Sequence, residues 1–122
     1  MLLDSNIIIY AIQPEFSRLR QWIANNELAI SEISLLEVLG YHKLTQQDKL
    51  DLTELFDWNR VLPVSRRVID FAITLRQQRK MSLGDALIAA TAMIHDLTLV
   101  TRNTKDFEWI QNLKLLNPFE QE

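Results

Sequence analysis

The chain has no cysteine, which excludes disulfide staples, thiolate metal sites and a cysteine nucleophile. It has only two glycines, Gly40 and Gly84, so neither a Gly-rich phosphate loop nor a dinucleotide-binding fingerprint can be built. Two histidines, His42 and His95, leave little material for a zinc site or a histidine-based triad. Both fall near expected helix C-termini, where histidine is a favourable cap. A surplus of positive charge is also missing: 13 bases meet 16 acids, a net charge of −3. Proteins that hold nucleic acid by charge alone are usually strongly basic, so any such contact here must be local or metal-assisted. No uncharged apolar run approaches the roughly 18–20 residues of a membrane span. The opening MLLDSN carries Asp4 and no Lys or Arg, so a secretory leader is not expected and the chain reads as cytoplasmic.

What remains is an ordinary globular composition, 48% apolar and 24% charged over 122 residues. One domain over residues 1–122 is expected, with a core that buries roughly two-thirds of the unfolded surface. Short apolar runs alternate with longer helical patterns, which points to an α/β fold with a mostly parallel sheet. Strands are expected at Met1–Leu3, with the apolar signal continuing through Ile7–Ile9, and at Leu28–Ile30, Val61–Val64, Leu97–Thr101 and Leu113–Leu116. Helices are expected after Pro14, over Ser31–Leu44 with Ile33, Leu36 and Leu39 on one face, and over Thr45–Trp58 with Leu50, Leu52, Leu55 and Phe56. Ser65 should cap a helix carrying Val68, Ile69, Ala72, Ile73 and Leu75. Ser82 should open one that turns Leu83, Ala86, Leu87, Ala90 and Ile94 inward, and Asp106–Asn112 should form a last short helix. Gly40 beside the Ile33–Leu39 face would permit close packing. Trp22, Trp58, Trp109, Phe56, Phe71 and Phe107 fit core or interface faces, and Arg66, Arg67, Arg76, Arg79 and Lys80 fit a solvated helix face.

In open parallel sheets, ligands bind beyond the C-terminal ends of the strands. Asp4, Glu37 and Asp106 follow such ends, and Asp85 lies on the first turn of its helix, between Gly84 and a strongly apolar run; these four acids become candidates for one site. Glu37, Asp85 and Asp106 each also have a structural explanation. Ser34-x-x-Glu37 matches a capping box, and Ser82-x-x-Asp85 and Asn103-x-x-Asp106 resemble one. Asp4 is harder to explain that way, because it interrupts an apolar run that should be core, where an ionised carboxylate needs a partner. Four converging carboxylates repel, so some must hold a proton or a cation. All-oxygen ligands suit Mg²⁺ or Mn²⁺ rather than zinc. A metal held by acids can bind a phosphate oxygen and activate water, which is the equipment for phosphodiester hydrolysis. Without these four acids the chain carries 12 acids against 13 bases, so the acidic surplus is compatible with the site. Arg102 and Lys105 flank Asp106 and are the better candidates for phosphate contacts.

The segments LLDSNIIIYA (Leu2–Ala11), SEISLLEVLG (Ser31–Gly40), GDALIAATA (Gly84–Ala92) and LVTRNTKDF (Leu99–Phe107) resemble PIN-domain ribonucleases. Within that family, the short form resembles the VapC-type toxins of toxin–antitoxin pairs. The resemblance implies a three-layer α/β/α sandwich around a mostly parallel sheet. It implies that Asp4, Glu37, Asp85 and Asp106 form an acidic Mg²⁺ or Mn²⁺ site, with Asn6, Thr101 and Asn103 as supporting polar residues. Ser5 stands where threonine is commoner, which keeps the hydroxyl. The resemblance also implies an RNA substrate, a cognate antitoxin that blocks the site, and a homodimer. Two alternatives belong to another class: a non-catalytic PIN-like scaffold, and a receiver-like regulatory module with Asp4 in an acidic pocket. The scaffold should have lost acids, and all four are present. A receiver-like module would place its phosphoacceptor after a middle strand and a lysine after a late one. Asp4 follows the first strand, and Lys105 is only loosely placed.

Overall fold

A two-residue alternation in very short strands sets the architecture. The computed structural model describes residues 1–120. Its strands are β1 (Leu2–Leu3), β2 (Ala29–Ser31), β3 (Arg60–Leu62), β4 (Leu99–Val100) and β5 (Leu115–Leu116). They form one five-stranded sheet, every pairing parallel, in the order β3-β2-β1-β4-β5. Successive strand residues point to opposite faces. Leu2, Ala29 and Leu99 therefore enter one core, and Leu3, Ile30 and Val100 the other. Both faces must be covered, because strands this apolar on both sides cannot meet water.

Helices supply the cover. On the Leu3 face lie α1 (Ser5–Ala11), α2 (Ser17–Ala24), α3 (Glu32–Leu39) and α4 (Gln46–Asp57), which contribute Ile7, Ile8, Leu19, Ile23, Val38, Leu52 and Phe56. On the Leu2 face lie α5 (Arg66–Gln78) and α6 (Leu83–Ile94), with Val68, Ala72, Leu75, Ala86, Ala89 and Ala90. The alanines of α6 let it lie close to the sheet. The result is the expected α/β/α sandwich. After β1 the chain adds β2 and β3 on one side, then returns to place β4 on the other. The strand order therefore reverses between β1 and β4, and the C-terminal ends of those two strands open the crevice where parallel sheets bind ligands.

Several local expectations are corrected. The apolar run after Asp4 is helical rather than extended: β1 ends at Leu3, Asp4 sits in extended backbone at the N-cap, and Ser5–Ala11 is α1. Ile7 and Ile8 still reach the core while Ile9 faces out, which the helical period allows and a continued strand would not. α3 stops at Leu39 rather than Leu44, with Gly40 as its C-cap. His42 follows in a turn beyond that helix, whereas His95 does take the C-cap position of α6. The helix expected over Asp106–Asn112 is a 3₁₀ turn, Thr104–Asp106, followed by turns. Leu36, Leu50, Ile69, Ile73 and Leu83, placed inward by periodicity, are exposed, as is Trp58 at 81%. On α5, Val68, Ala72 and Leu75 take the buried face, so Ile69 and Ile73, each one position further round the helix, fall outside it.

Candidate active site

Asp4 leaves the C-terminal end of β1 and is only 5% exposed. It occupies the N-cap position of α1, yet its side chain makes no capping bond there. The neighbouring strand end supplies its partner: the Thr101 hydroxyl, fully buried just after β4, donates to Asp4 Oδ2 at 2.8 Å. The Asn103 backbone N–H donates to that same hydroxyl oxygen at 3.0 Å, so the hydroxyl proton is directed toward Asp4. Burial, the largest cause, raises the Asp4 pKa from 3.8 to about 6. The negative charges of Asp85 and Glu37 push the same way, while the Thr101 hydroxyl and the Ser5 amide oppose.

Glu37 comes from the exposed side of α3. Ser5 Oγ donates to Glu37 Oε1 at 2.8 Å, and Ser5 and Ser34 share a hydroxyl–hydroxyl bond of 2.8 Å. The first residue of α1 and the middle of α3 thereby orient one carboxylate. The capping-box expectation for Ser34 and Glu37 fails: Ser31 is the N-cap of α3 and accepts from the Ile33 N–H. Glu37 also lies against Gly84 at the start of α6. A Cβ at Gly84 would stand 3.0 Å from Glu37 Cδ and 3.2 Å from Oε1, and closer still to Oε2.

Asp85 is on the first turn of α6. Its backbone N–H is capped by Ser82 Oγ at 3.1 Å, as expected. Its own carboxyl pKa is raised, first by burial and then by the charges of Asp106 and Glu37, against a hydrogen bond from Ser82. Asp106 ends the 3₁₀ turn after β4 and is exposed; Asn103 makes no side-chain cap there. The four acids are thus one electrostatic set: Asp4 feels Asp85 and Glu37, and Asp85 feels Asp106 and Glu37. Among the described residues, no three of these side chains close into a cage around one ion. The donor chemistry nonetheless fits a hydrated Mg²⁺, which takes one or two carboxylates and keeps several waters. An all-oxygen donor set suits zinc less well, since the chain has no thiolate and both histidines lie on exposed turns or helix ends.

The remaining candidates divide. Asn6 is exposed on the first turn of α1, beside Ser5. Thr101 and Asn103 join the Asp4 network as described, Asn103 through its backbone. Lys105 is exposed in the 3₁₀ turn. Arg102 turns toward two rings instead, lying 4.5 Å from the Phe119 centroid and 5.2 Å from that of Tyr10. The residues at the acids that the sequence reading gave no part in the site are Ser34, bonded to Ser5, and Gly84, against Glu37. Only Gly84 left a signal, as one of two glycines in the chain and placed directly before an acid.

Comparison with known proteins decides the family. The sequence matches the PIN domain over residues 1–112. The chain belongs to the PIN-domain family. Ribonuclease VapC2 of Rickettsia felis is 32% identical over 128 aligned residues, spanning 95% of this chain and 96% of the relative. Ribonuclease VapC10 of Mycobacterium tuberculosis is 31% identical over 123, spanning 93% and 90%. Among solved structures, VapBC2 from Rickettsia felis bound to a DNA fragment from its promoter matches with a TM-score of 0.79 at 30% identity, covering 95% of this chain and 96% of that one. A toxin–antitoxin complex from Klebsiella pneumoniae matches with a TM-score of 0.76 at 30% identity, covering 98% of each chain. All four acids of this PIN domain lie within the matched span, and Phe119 lies beyond it. Membership also sets aside the receiver-like alternative.

Proposed function

We propose that this PIN domain is a Mg²⁺-dependent endoribonuclease, the toxin of a toxin–antitoxin pair. The observation that carries the reading is the coupled acid set at the β1/β4 switch point, where a buried Asp4 is shifted to about 6 by burial and by neighbouring acids. Relatives named as VapC ribonucleases across nearly the full chain support the substrate class. Asp4 and Asp85 are the principal metal-holding residues, with Glu37 and Asp106 completing the charge. When bound, the ion neutralises these acids, activates water and stabilises charge on a phosphate oxygen.

The chain's own residues supply order. Thr101 locks the orientation of Asp4, and Ser5, buttressed by Ser34, locks Glu37. Water attacks phosphorus and a P–O bond of the RNA breaks; the carboxylate set is the local acceptor for the proton that the water loses, and the leaving oxygen takes up a proton from solvent to depart as a hydroxyl. Asn6 and Asn103 are polar support at the rim, and Lys105 contacts a phosphate. The proposed partners are an RNA substrate, a cognate antitoxin and a second copy of the chain. Among the described residues no helix is long and apolar enough to cross a membrane, and we place the protein in the cytoplasm.

The test is RNA cleavage by the purified protein. Mg²⁺ or Mn²⁺ should support cutting and EDTA should stop it. Undiminished cutting in EDTA, by protein freed of contaminating nucleases, would sink the metal-dependent reading. Absence of any cutting with either ion would sink the ribonuclease reading itself.

A further inference from the structure

Arg102 follows Thr101 directly at the end of β4, yet among the described residues the ion pairs are Arg66–Asp70 and Lys114–Asp96, and Arg102 makes none. It is not held there as a counter-ion to the acids. Its guanidinium lies over Phe119 at 4.5 Å and over Tyr10 at 5.2 Å. Those rings are themselves fixed. Tyr10, Phe16 and Phe119 pack edge to face, with centroids 5.3 to 5.5 Å apart. Phe119 sits in the 3₁₀ turn Pro118–Glu120, where its N–H donates to Asn117 Oδ1 at 3.0 Å. Residues from α1 and from beyond β5 therefore converge on one exposed cation. A guanidinium stacked by its face keeps its edge donors available, in the fork geometry that matches a phosphate.

A chain of net charge −3 with its acids gathered at one crevice repels RNA. A fixed cation one residue from Thr101, which bonds Asp4, offsets part of that repulsion. We propose that Arg102 binds a backbone phosphate of the RNA beside the acidic site, and that Phe119 is its positioning residue. This rests on the ribonuclease reading above.

The experiment measures binding of a fluorescent, mixed-sequence, 20-nucleotide single-stranded RNA pool in Mg²⁺, over a range of salt. Asp85→Asn protein serves as background so that the RNA is not consumed. Adding Arg102→Gln should weaken binding about tenfold and flatten the salt dependence by roughly 0.7 in slope, the value for one phosphate contact on a single strand. Arg102→Lys should keep the slope but lose affinity, because charge remains and the stacked fork is gone. Phe119→Leu should weaken binding several-fold, and that loss should vanish once Arg102 is already Gln; a merely structural phenylalanine would cost the same in both backgrounds. Lys114→Gln removes one charge at the opposite end of the sheet, where Lys114 faces Asp96 at 3.9 Å, and should change nothing. Unaltered affinity and slope in Arg102→Gln, while the native chain still cuts RNA with Mg²⁺, would overturn this inference alone. A native chain that cuts no RNA would overturn the ribonuclease reading and this inference with it.

Discussion

Gly84→Ala separates the site from the fold more cleanly than removal of any acid. The glycine is the second residue of α6 and its φ is not positive, so alanine is conformationally permitted there. What the missing side chain leaves room for is the Glu37 carboxylate. Ordinary contact starts near 3.4 Å, whereas an alanine Cβ would meet Glu37 Cδ at 3.0 Å and its oxygens on both sides of that value. The carboxylate is the far end of an exposed, flexible side chain, so it retreats by on the order of 1 Å and the backbone stays. Stability should scarcely change. Gly→Ala at a compatible position gains about 0.4–1 kcal/mol through the unfolded state. Weakening the bond from Ser5 to Glu37 costs about 0.5–1.5 kcal/mol, at the lower end for an exposed acceptor.

Activity should change a great deal, since a misplacement of about 1 Å costs on the order of a hundredfold in rate. The assay pairs initial rates of Mg²⁺-dependent RNA cleavage with thermal midpoints. The expected result is a loss of about a hundredfold with the midpoint moved by no more than a few degrees. In Glu37→Gln protein, adding Gly84→Ala should cost nothing further, because its effect runs through Glu37. Full activity in Gly84→Ala would refute the role given to Glu37. A further large loss on top of Glu37→Gln would show that the methyl acts through Asp85 instead.

The pH dependence of Asp4 gives a second prediction. An acid whose folded pKa is raised favours folding below its unfolded pKa, and that contribution disappears as pH climbs through the folded pKa, here between 3.8 and about 6. Two pKa units correspond to about 3 kcal/mol. Asp4→Asn should therefore be the more stable protein by up to about that amount at pH 7.5 and by little at pH 4, by urea denaturation; an equal difference at both would refute the charge argument. Mg²⁺ should raise the thermal midpoint of the native chain, by the equivalent of about 2.7 kcal/mol at a hundredfold excess over its dissociation constant, and raise that of Asp85→Asn less; equal shifts would mean these acids do not bind it. Finally, Asp85→Asn should lose cleavage by orders of magnitude and stay folded. Glu32→Gln should remain active, because Glu32 accepts from the Val64 N–H at 2.8 Å in a link between α3 and the end of β3 that glutamine can also make. An active Asp85→Asn protein, or an inactive Glu32→Gln protein, reverses the assignment.

The layer order was legible because strand residues such as Leu2–Leu3 and Leu99–Val100 are apolar at every position, and such strands need helices on both faces. Helix boundaries were legible where a hydroxyl caps, as at Thr45, Ser65 and Ser82. The run Ile7–Ile9 was not, because three β-branched residues fit a strand by propensity and only the packing of α1 on the sheet decides for a helix. Asp4, Glu37 and Asp106 stood out because they follow strand ends, and Asp85 because it opens a strongly apolar helix. Their supports did not: Ser34 bonds across 29 residues to Ser5, and Phe119 reaches Tyr10 across the whole chain. Neither contact leaves a local pattern.

The competing explanation for the acids, that they cap helices, can be judged bond by bond. In this chain capping is done by hydroxyls. Ser31 accepts from Ile33, Thr45 from Asp48, Ser65 from Val68 and Ser82 from Asp85. Asp4 stands at an N-cap and makes no capping bond with its side chain. Glu37 sits in the last turn of α3, where a negative charge opposes the helix dipole. Asp85 needs no carboxylate for its cap, since Ser82 acts on its backbone. Each acid is instead turned toward other acids or toward hydroxyls that fix its direction, with Asp4 paying in desolvation. Replacing any one of them by a neutral residue would relax this repulsion. On the proposed reading, a bound cation would remove it without substitution, and the same charges would then be the means of holding that cation at the end of the sheet.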